Sequence, residues 1–394
     1  MALNRRGIAL MSSAHLTDDL YQGIVPALLP FLVAERHYSY SAVAGLILAG
    51  TVLSSVAQPL FGVWADRKPR RWMIWAGMML AAVGVGLSGF FSDYALTWVV
   101  LALSGLGIAA FHPAAARAAR VAAGNSNSGM SVFAVGGNLG FAVGSLIATP
   151  VILLLGLHGT ALLVLPGIVM GVWLILRLRT VLDGRIGQPR VHVLPTGRDD
   201  WPSFLKLTGI VMVRSVLFFG VTSFIALYFI HELGTTEVLG GVALTTFLTA
   251  GAVGTLVGGW LADRTGRMVS IRVGFILTIP ALGGLVLTNE WHVALIFVVL
   301  SGLGIFISFS VFVMLGQDYL PNRIGTASGV TVGLAVSVGG LFNPVLGYIA
   351  DIAGLRAMLV VLIALPLVAL VLAAFLREPG ATRIRPEPSE PTIN

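Results

Sequence analysis

The chain has no cysteine, so no disulfide staples its fold and no thiolate is available as nucleophile or metal ligand. Charge is the second scarcity: Asp, Glu, Lys and Arg make up 10% of the residues, against 57% hydrophobic. A soluble domain needs a surface about a quarter to a third charged, so this composition excludes a chain solvated by water on all sides. The period-two alternation over about ten residues that marks the strands of a membrane barrel is missing too. Two chemical signatures are also absent. Without a Gly-x-x-x-x-Gly-Lys-[Ser/Thr] phosphate loop ATP cannot drive the protein directly, and there is no His-Glu-x-x-His zinc site. An intramembrane enzyme would need a nucleophile–base pair or a metal cluster, and the few histidines do not make one. The expectation is no enzyme, no metal and no cofactor other than a proton gradient.

Long apolar runs are what the chain does have. A bilayer core of roughly 30 Å needs about 20 apolar residues per helix, and such runs recur along the whole length. They predict an all-α integral membrane protein with twelve spans, at 7–34, 40–65, 72–91, 94–121, 126–155, 158–180, 203–232, 237–262, 270–288, 292–318, 322–350 and 355–377. The net charge of +7 does not point to nucleic acid, because the basic residues are spread over short connections. With a cytoplasmic N-terminus, all 24 Lys and Arg except Arg36, Arg214 and Arg356 fall in or beside cytoplasmic segments, which is the positive-inside pattern. The first span follows Arg5-Arg6, is too long for a signal peptide and lacks a small-residue cleavage site. The hydrophilic stretch 181–201 divides an N-terminal six-helix bundle (1–180) from a C-terminal one (202–377). Residues 378–394, rich in Pro and Glu, read as a cytoplasmic tail.

The two halves repeat. Gly62-x-x-Ala65-Asp66-Arg67 returns as Gly259-x-x-Ala262-Asp263-Arg264, and Ser104-Gly-Leu-Gly-Ile108 as Ser301-Gly-Leu-Gly-Ile305, both 197 residues on. Each half has an even number of spans, so the halves are parallel repeats, whose substrate site is expected at their interface near the bilayer midplane.

The loop Gly62-x-x-Ala65-Asp66-Arg67-x-x-Arg70-Arg71, with its reprise from Gly259 to Arg267, resembles the signature loop of the major facilitator superfamily. His15-Leu-Thr-Asp18-Asp19 in the first span, Phe111-His112-Pro113 with Arg117 and Arg120 in the fourth, and Phe133-x-Val-Gly136-Gly137-Asn138 in the fifth resemble its fosmidomycin-resistance branch. The resemblance implies two pseudo-two-fold-related bundles in a bacterial inner membrane. It implies a monomeric, proton-driven exporter of a small drug-like or anionic compound such as a phosphonate. Proton symport or uniport of a metabolite is the alternative on the same architecture. The branch often has an acidic residue after Phe-His-Pro and a polar amide after the helix-five Phe; Ala114 and Ala134 stand there, which leaves the substrate open.

Charges inside a bilayer cost about 2.5–3.5 kcal/mol on insertion scales, so His15, Asp18, Asp19 and Arg214 must face protein or water. Ser12, His15, Asp19, Gln22 and Pro26, spaced by three or four, form a polar stripe on the first helix. Asp19, roughly 18 Å from Gly7 at 1.5 Å per residue, is near the midplane and within reach of His15. This predicts a proton carrier at Asp19 coupled to His15, with Asp18, about 100° around the helix, as the other candidate; the bland reading is a packing hydrogen bond. His112, roughly 27 Å along its helix from Tyr94, is expected near the cytoplasmic end as a proton-coupling or gating group. Subtracting the repeat offset maps Arg214 onto Thr17, which predicts that Arg214 confronts the acids across the cavity, there to bind an anionic substrate or to pair with Asp19 until protonation or substrate displaces it; the bland reading is a permanent structural ion pair. Gln22 and Asn138 are further substrate-binding candidates. Phe218, Phe219 and Tyr228 read as packing or lipid-facing surface. Gly62, Asp66, Arg67, Arg70, Arg71, Gly259, Asp263, Arg264 and Arg267 are expected to form a cytoplasmic latch that breaks as the bundles rock.

Overall fold

The computed structural model describes residues 4–67, 70–123, 127–182, 198–323, 327, 330–331 and 335–379, and among them there is helix but no strand. The elements are α1 (Arg5–Arg36), α2 (Tyr40–Arg67), α3 (Trp72–Ser88), α4 (Tyr94–Ala123), α5 (Asn127–Leu155), α6 (Leu165–Leu182), α7 (Trp201–His231), α8 (Glu237–Thr265), α9 (Arg267–Leu287), α10 (Trp291–Ile307), α11 (Phe309–Tyr319), α12 (Ala335–Ala353) and α13 (Leu355–Ala374). A 3₁₀ segment, Leu157–Val164, leads into α6. They build twelve spans in two six-helix bundles, because α10 and α11 are one span interrupted at Ser308. The apolar run 292–318 gave no sign of that break. Most of the linker 181–201 and all of the tail beyond residue 379 lie outside the described residues.

Local chemistry sets the ends. The Asn4 side chain accepts from the Gly7 amide at 3.0 Å and so caps α1, which stops where His37 turns left-handed at φ 55°. Asp200 caps α7 by accepting from the Ser203 amide at 3.1 Å. The face of the protein on which α1 begins is called the near face below, and the face on which it ends the far face.

Close helix packing repeats with the sequence. A Cβ at Gly77 of α3 would stand 2.6 Å from the Gly107 carbonyl of α4, and one at Gly274 of α9 would stand 2.8 Å from the Gly304 carbonyl of α10. Both pairs are related by the 197-residue offset, so the duplication extends to individual helix crossings. Only residues without a side chain let two backbones approach so closely.

The bundles meet toward the far face. Ser145 of α5 and Thr245 of α8 touch through their hydroxyls at 3.0 Å. Asp351 near the end of α12 accepts the Tyr40 and Ser41 amides at the start of α2, at 2.7 and 3.0 Å. A carboxylate at a helix N-terminus is favoured by the orphan amides and the helix dipole together.

Candidate functional site

The site begins with a seam of glycines. Gly137 and Gly140 on α5 admit α1 so closely that a Cβ at Gly140 would lie 2.4 Å from the Leu16 carbonyl. A Cβ at Gly137 would lie 2.5 Å from Asp19 Oδ2 and 2.6 Å from His15 Cε1. α5 thus presses bare backbone onto the polar stripe of α1.

Four titratable side chains converge there. His15 Nε2 is 3.2 Å from Asp19 Oδ2, and His112 Nε2 is 3.2 Å from Asp19 Oδ1, so each carboxylate oxygen faces one imidazole. Gln22 Nε2 donates to Asp19 Oδ1 at 2.6 Å. Asp18 is fully buried with neither oxygen hydrogen-bonded, and its closest cationic neighbour is His112 Nδ1 at 3.7 Å. The His15 ring stacks on Phe133 at 4.2 Å between centroids and meets the His112 ring edge-on at 5.3 Å. The sequence brought His15 and Asp19 together correctly but set His112 too close to a helix end. The reason is length: α4 runs on to Ala123, eleven residues past His112, which places His112 roughly 16 Å inside the near end of the helix and level with Asp19.

Backbone carbonyls fix which imidazole nitrogen carries hydrogen. His15 Nδ1 lies 2.8 Å from the Phe133 carbonyl and His112 Nδ1 lies 3.0 Å from the Ile108 carbonyl. A carbonyl only accepts, so both Nδ1 atoms must be N–H donors. In a neutral imidazole the remaining Nε2 is then a lone pair. Two such lone pairs aimed at the two oxygens of one carboxylate repel it, unless a proton sits on one side of each contact. The arrangement therefore has places for two protons beyond those of two neutral histidines and an ionised Asp19. His15, Asp19 and His112 also offer three ligand-type atoms within 4.8 Å of one another, but those atoms already face each other in the two N···O contacts.

Arg214 departs from its predicted place. It is buried in α7, but its Nε donates to the Ile305 carbonyl at 3.1 Å and its guanidinium lies over Phe306 and Phe309 at 4.8 and 4.6 Å. No carboxylate lies within ion-pair distance of it among the described residues. The break at Ser308 accounts for this: helix α10 ends there and the nearby Ile305 carbonyl is open to the arginine. The repeat is still visible, since Ile305 and Phe309 are the counterparts of Ile108 and His112. The same carbonyl receives an imidazole in one half and a guanidinium in the other.

Between the bundles lies a cavity, partly open to solvent and walled by α1, α2, α4, α5 and α7. Gln22 lines it, whereas Arg214 and Asn138 do not. Phe218 and Phe219, expected as packing or lipid surface, line it as well, while Tyr228 is buried with its hydroxyl on the Leu285 carbonyl at 3.0 Å. Thr222 is a cavity residue that the sequence reading missed. The signal was there, because Arg214, Phe218 and Thr222 follow at intervals of four and share a helix face.

The family model described as Major Facilitator Superfamily matches residues 11–344. The chain belongs to the Major Facilitator Superfamily. It is 29% identical over 351 residues to the fosmidomycin resistance protein of Escherichia coli (strain K12), covering 87% of this chain and 86% of that protein. It is 28% identical over 374 residues to the MFS-type transporter YfnC of Bacillus subtilis (strain 168), covering 91% and 90%. Among solved structures it resembles a bacterial homologue of the human lysosomal transporter Spinster in an inward-facing and occupied conformation, with TM-score 0.78, 14% identity and 93% and 95% coverage. The nucleoside transporter NupG is similar with TM-score 0.74, 10% identity and 94% and 100% coverage. The protein is a multi-pass membrane transporter of this superfamily.

The superfamily's signature loop can be followed in part. Gly62 lies against Pro113 and Gly259 against Ser310, again matched positions, with a Cβ at 3.9 and 4.0 Å respectively. The Asp66 and Arg67 side chains lie outside the described residues. Arg70 stacks over Trp64 at 4.0 Å and Arg264 over Trp260 at 4.4 Å. Arg71 precedes the first turn of α3. Arg267 pairs with Asp318 and, at 3.5 Å, with Glu378, all in the C-terminal half. Asp263 is exposed and enters no ion pair among the described residues.

Proposed function

We propose that this transporter couples export of a small organic solute to proton entry across a bacterial inner membrane, by alternating access of the cavity between its bundles. The observation that carries the reading is the doubly bracketed carboxylate. Asp19 meets an imidazole nitrogen on each oxygen, and both rings are oriented by carbonyls so that each contact needs a proton. A buried group of this kind is expensive in a membrane and has a use where protons are moved.

Gln22 supplies the coupling, because it lines the cavity and holds Asp19 at the same time. A solute that takes the Gln22 amide removes a hydrogen bond from the carboxylate, and protonation of Asp19 releases the amide in return. Solute and proton thereby compete, which is the requirement for exchange. Asp19 is the carrier, and Asp18, 3.7 Å from His112 Nδ1, is a second station.

The positive-inside pattern assigns the near face and both termini to the cytoplasm. Contacts that join the bundles at the far face then support a cavity closed to the outside, and Arg267, paired within the C-terminal half, supports an open latch. Similarity to the fosmidomycin resistance protein supports export over uptake. In cells lacking their own exporters, expression should raise tolerance to at least one compound of a broad toxic panel, and Asp19→Asn should return it to the empty-vector level. Tolerance unchanged by Asp19→Asn would end the proton-carrier reading.

A further inference from the structure

The geometry points to the inter-bundle cavity as a site for an uncharged aromatic solute carrying one hydrogen-bonding group, with Thr222 as the residue that reads that group. This rests on the transport reading above and narrows its substrate away from anions.

Three observations carry it. First, among the described residues no Asp, Glu, Lys, Arg or His lines the cavity. A carboxylate or phosphonate entering it would lose its hydration without meeting a cation, which is costly in a low-dielectric site. Arg214 does not supply the missing charge. Its guanidinium lies 5.4 Å from the centroid of Phe218, whose ring lines the cavity, and is held by the Ile305 carbonyl.

Second, the walls are aromatic. Tyr21, Phe141, Phe218 and Phe219 line the space; Phe141 of α5 meets Phe218 of α7 at 6.1 Å and 73°, and Phe218 meets Phe219 at 5.0 Å and 74°. Edge-to-face rings contributed by both bundles are a surface for a flat apolar body.

Third, an enclosed hydroxyl on the cavity wall lacks a partner. Thr222 is 3% exposed, lines the cavity, and its hydroxyl has no hydrogen-bond partner. Of the other hydroxyls on the wall, Tyr21 donates to the Leu163 carbonyl at 3.1 Å and accepts from the Gly167 amide at 2.7 Å, and Thr51 donates to the Ile47 carbonyl at 3.0 Å; Ser54 and Ser104 line it too, but among the described lining residues only the Thr222 oxygen is both enclosed and without a partner. A buried, unpaired hydroxyl in a cavity wall is satisfied by what the cavity holds. Thr222 and Gln22 sit on opposite bundles, so a solute held by both would tie the halves together.

The test is binding of a matched pair, naphthalene-2-carboxamide and 2-naphthoate, which share a ring system and differ in charge. Titration calorimetry on the full-length protein in lipid nanodiscs, with empty nanodiscs as the blank, needs no pH gradient and is independent of proton coupling. The carboxamide is expected to bind at least tenfold more tightly than the naphthoate. Thr222→Val should weaken carboxamide binding by about three- to tenfold, the worth of one hydrogen bond, and Thr222→Ser should restore it. Equal or tighter binding of the naphthoate, no binding of either compound, or indifference of the carboxamide to Thr222→Val would each overturn the proposal. Carboxamide binding without proton movement would leave this site standing and remove the exchange reading; gradient-driven transport of other compounds without it would do the reverse.

Discussion

Asp19 balances two imidazoles and an amide, and replacing its carboxylate with a carboxamide removes the charge that makes two extra protons favourable. His112 has a second duty toward Asp18, which lies fully buried 3.7 Å from its Nδ1 and hydrogen-bonds to nothing. Removing that ring takes from this buried carboxyl group its nearest imidazole, the loss of one partner of a buried charge pair. His112→Ala should therefore lower the thermal stability of the detergent-solubilised protein, and Asp18→Asn in the same chain should recover most of the loss. A double-mutant cycle with no coupling energy would show that the two side chains do not interact. At this scale the sequence was a good guide to α1, since a polar stripe at intervals of three and four shows without coordinates. It was a poor guide to His112 and Arg214. Their positions depend on how far α4 continues and where α10 breaks, and apolar periodicity is blind to both.

The elements that hold the site are α1 and α5, and what lets them meet is the absence of side chains at Gly137 and Gly140. Gly137→Ala would put a methyl where Asp19 Oδ2 and His15 Cε1 now lie, forcing the pair apart. It should leave the protein folded while lowering proton-coupled transport. Gly140→Leu drives a branched side chain into the Leu16 backbone and should cost about 1–3 kcal/mol of stability, as overpacking does. Thermal unfolding read beside transport separates the two, and equal effects of both changes on both readouts would contradict the seam. Most of the spans could be located from hydropathy alone because the bilayer sets their length. Gly136, Gly140 and Gly144 stand four apart, a spacing that suits close helix packing, but nothing in it shows that the partner is the carboxylate of α1.

The whole molecule is two copies of one bundle with different chemistry at matched places, imidazole on the Ile108 carbonyl in one and guanidinium on the Ile305 carbonyl in the other. The 197-residue repeat found the architecture, yet the mapping of Arg214 onto Thr17 misled, because symmetry relates backbone positions and not the directions side chains take. Alternating access requires the far-face contacts to part. Ser145 and Thr245 touch across the bundles at 3.0 Å in a chain without cysteine, so Ser145→Cys with Thr245→Cys should oxidise to a disulfide, stop transport, and recover on reduction. Full activity of the oxidised form would show that these helices do not separate.

The central claim is exchange of solute for protons through Asp19, and its sign is measurable. Proteoliposomes loaded with pyranine, without any imposed gradient, receive a panel of neutral aromatic amides and phosphonates from outside while the lumenal pH is followed. For at least one compound the account predicts a lumen that turns alkaline with the wild-type protein, as solute enters and protons leave, and no change with Asp19→Asn. A lumen that turns acidic, or an identical transient in Asp19→Asn, would contradict it.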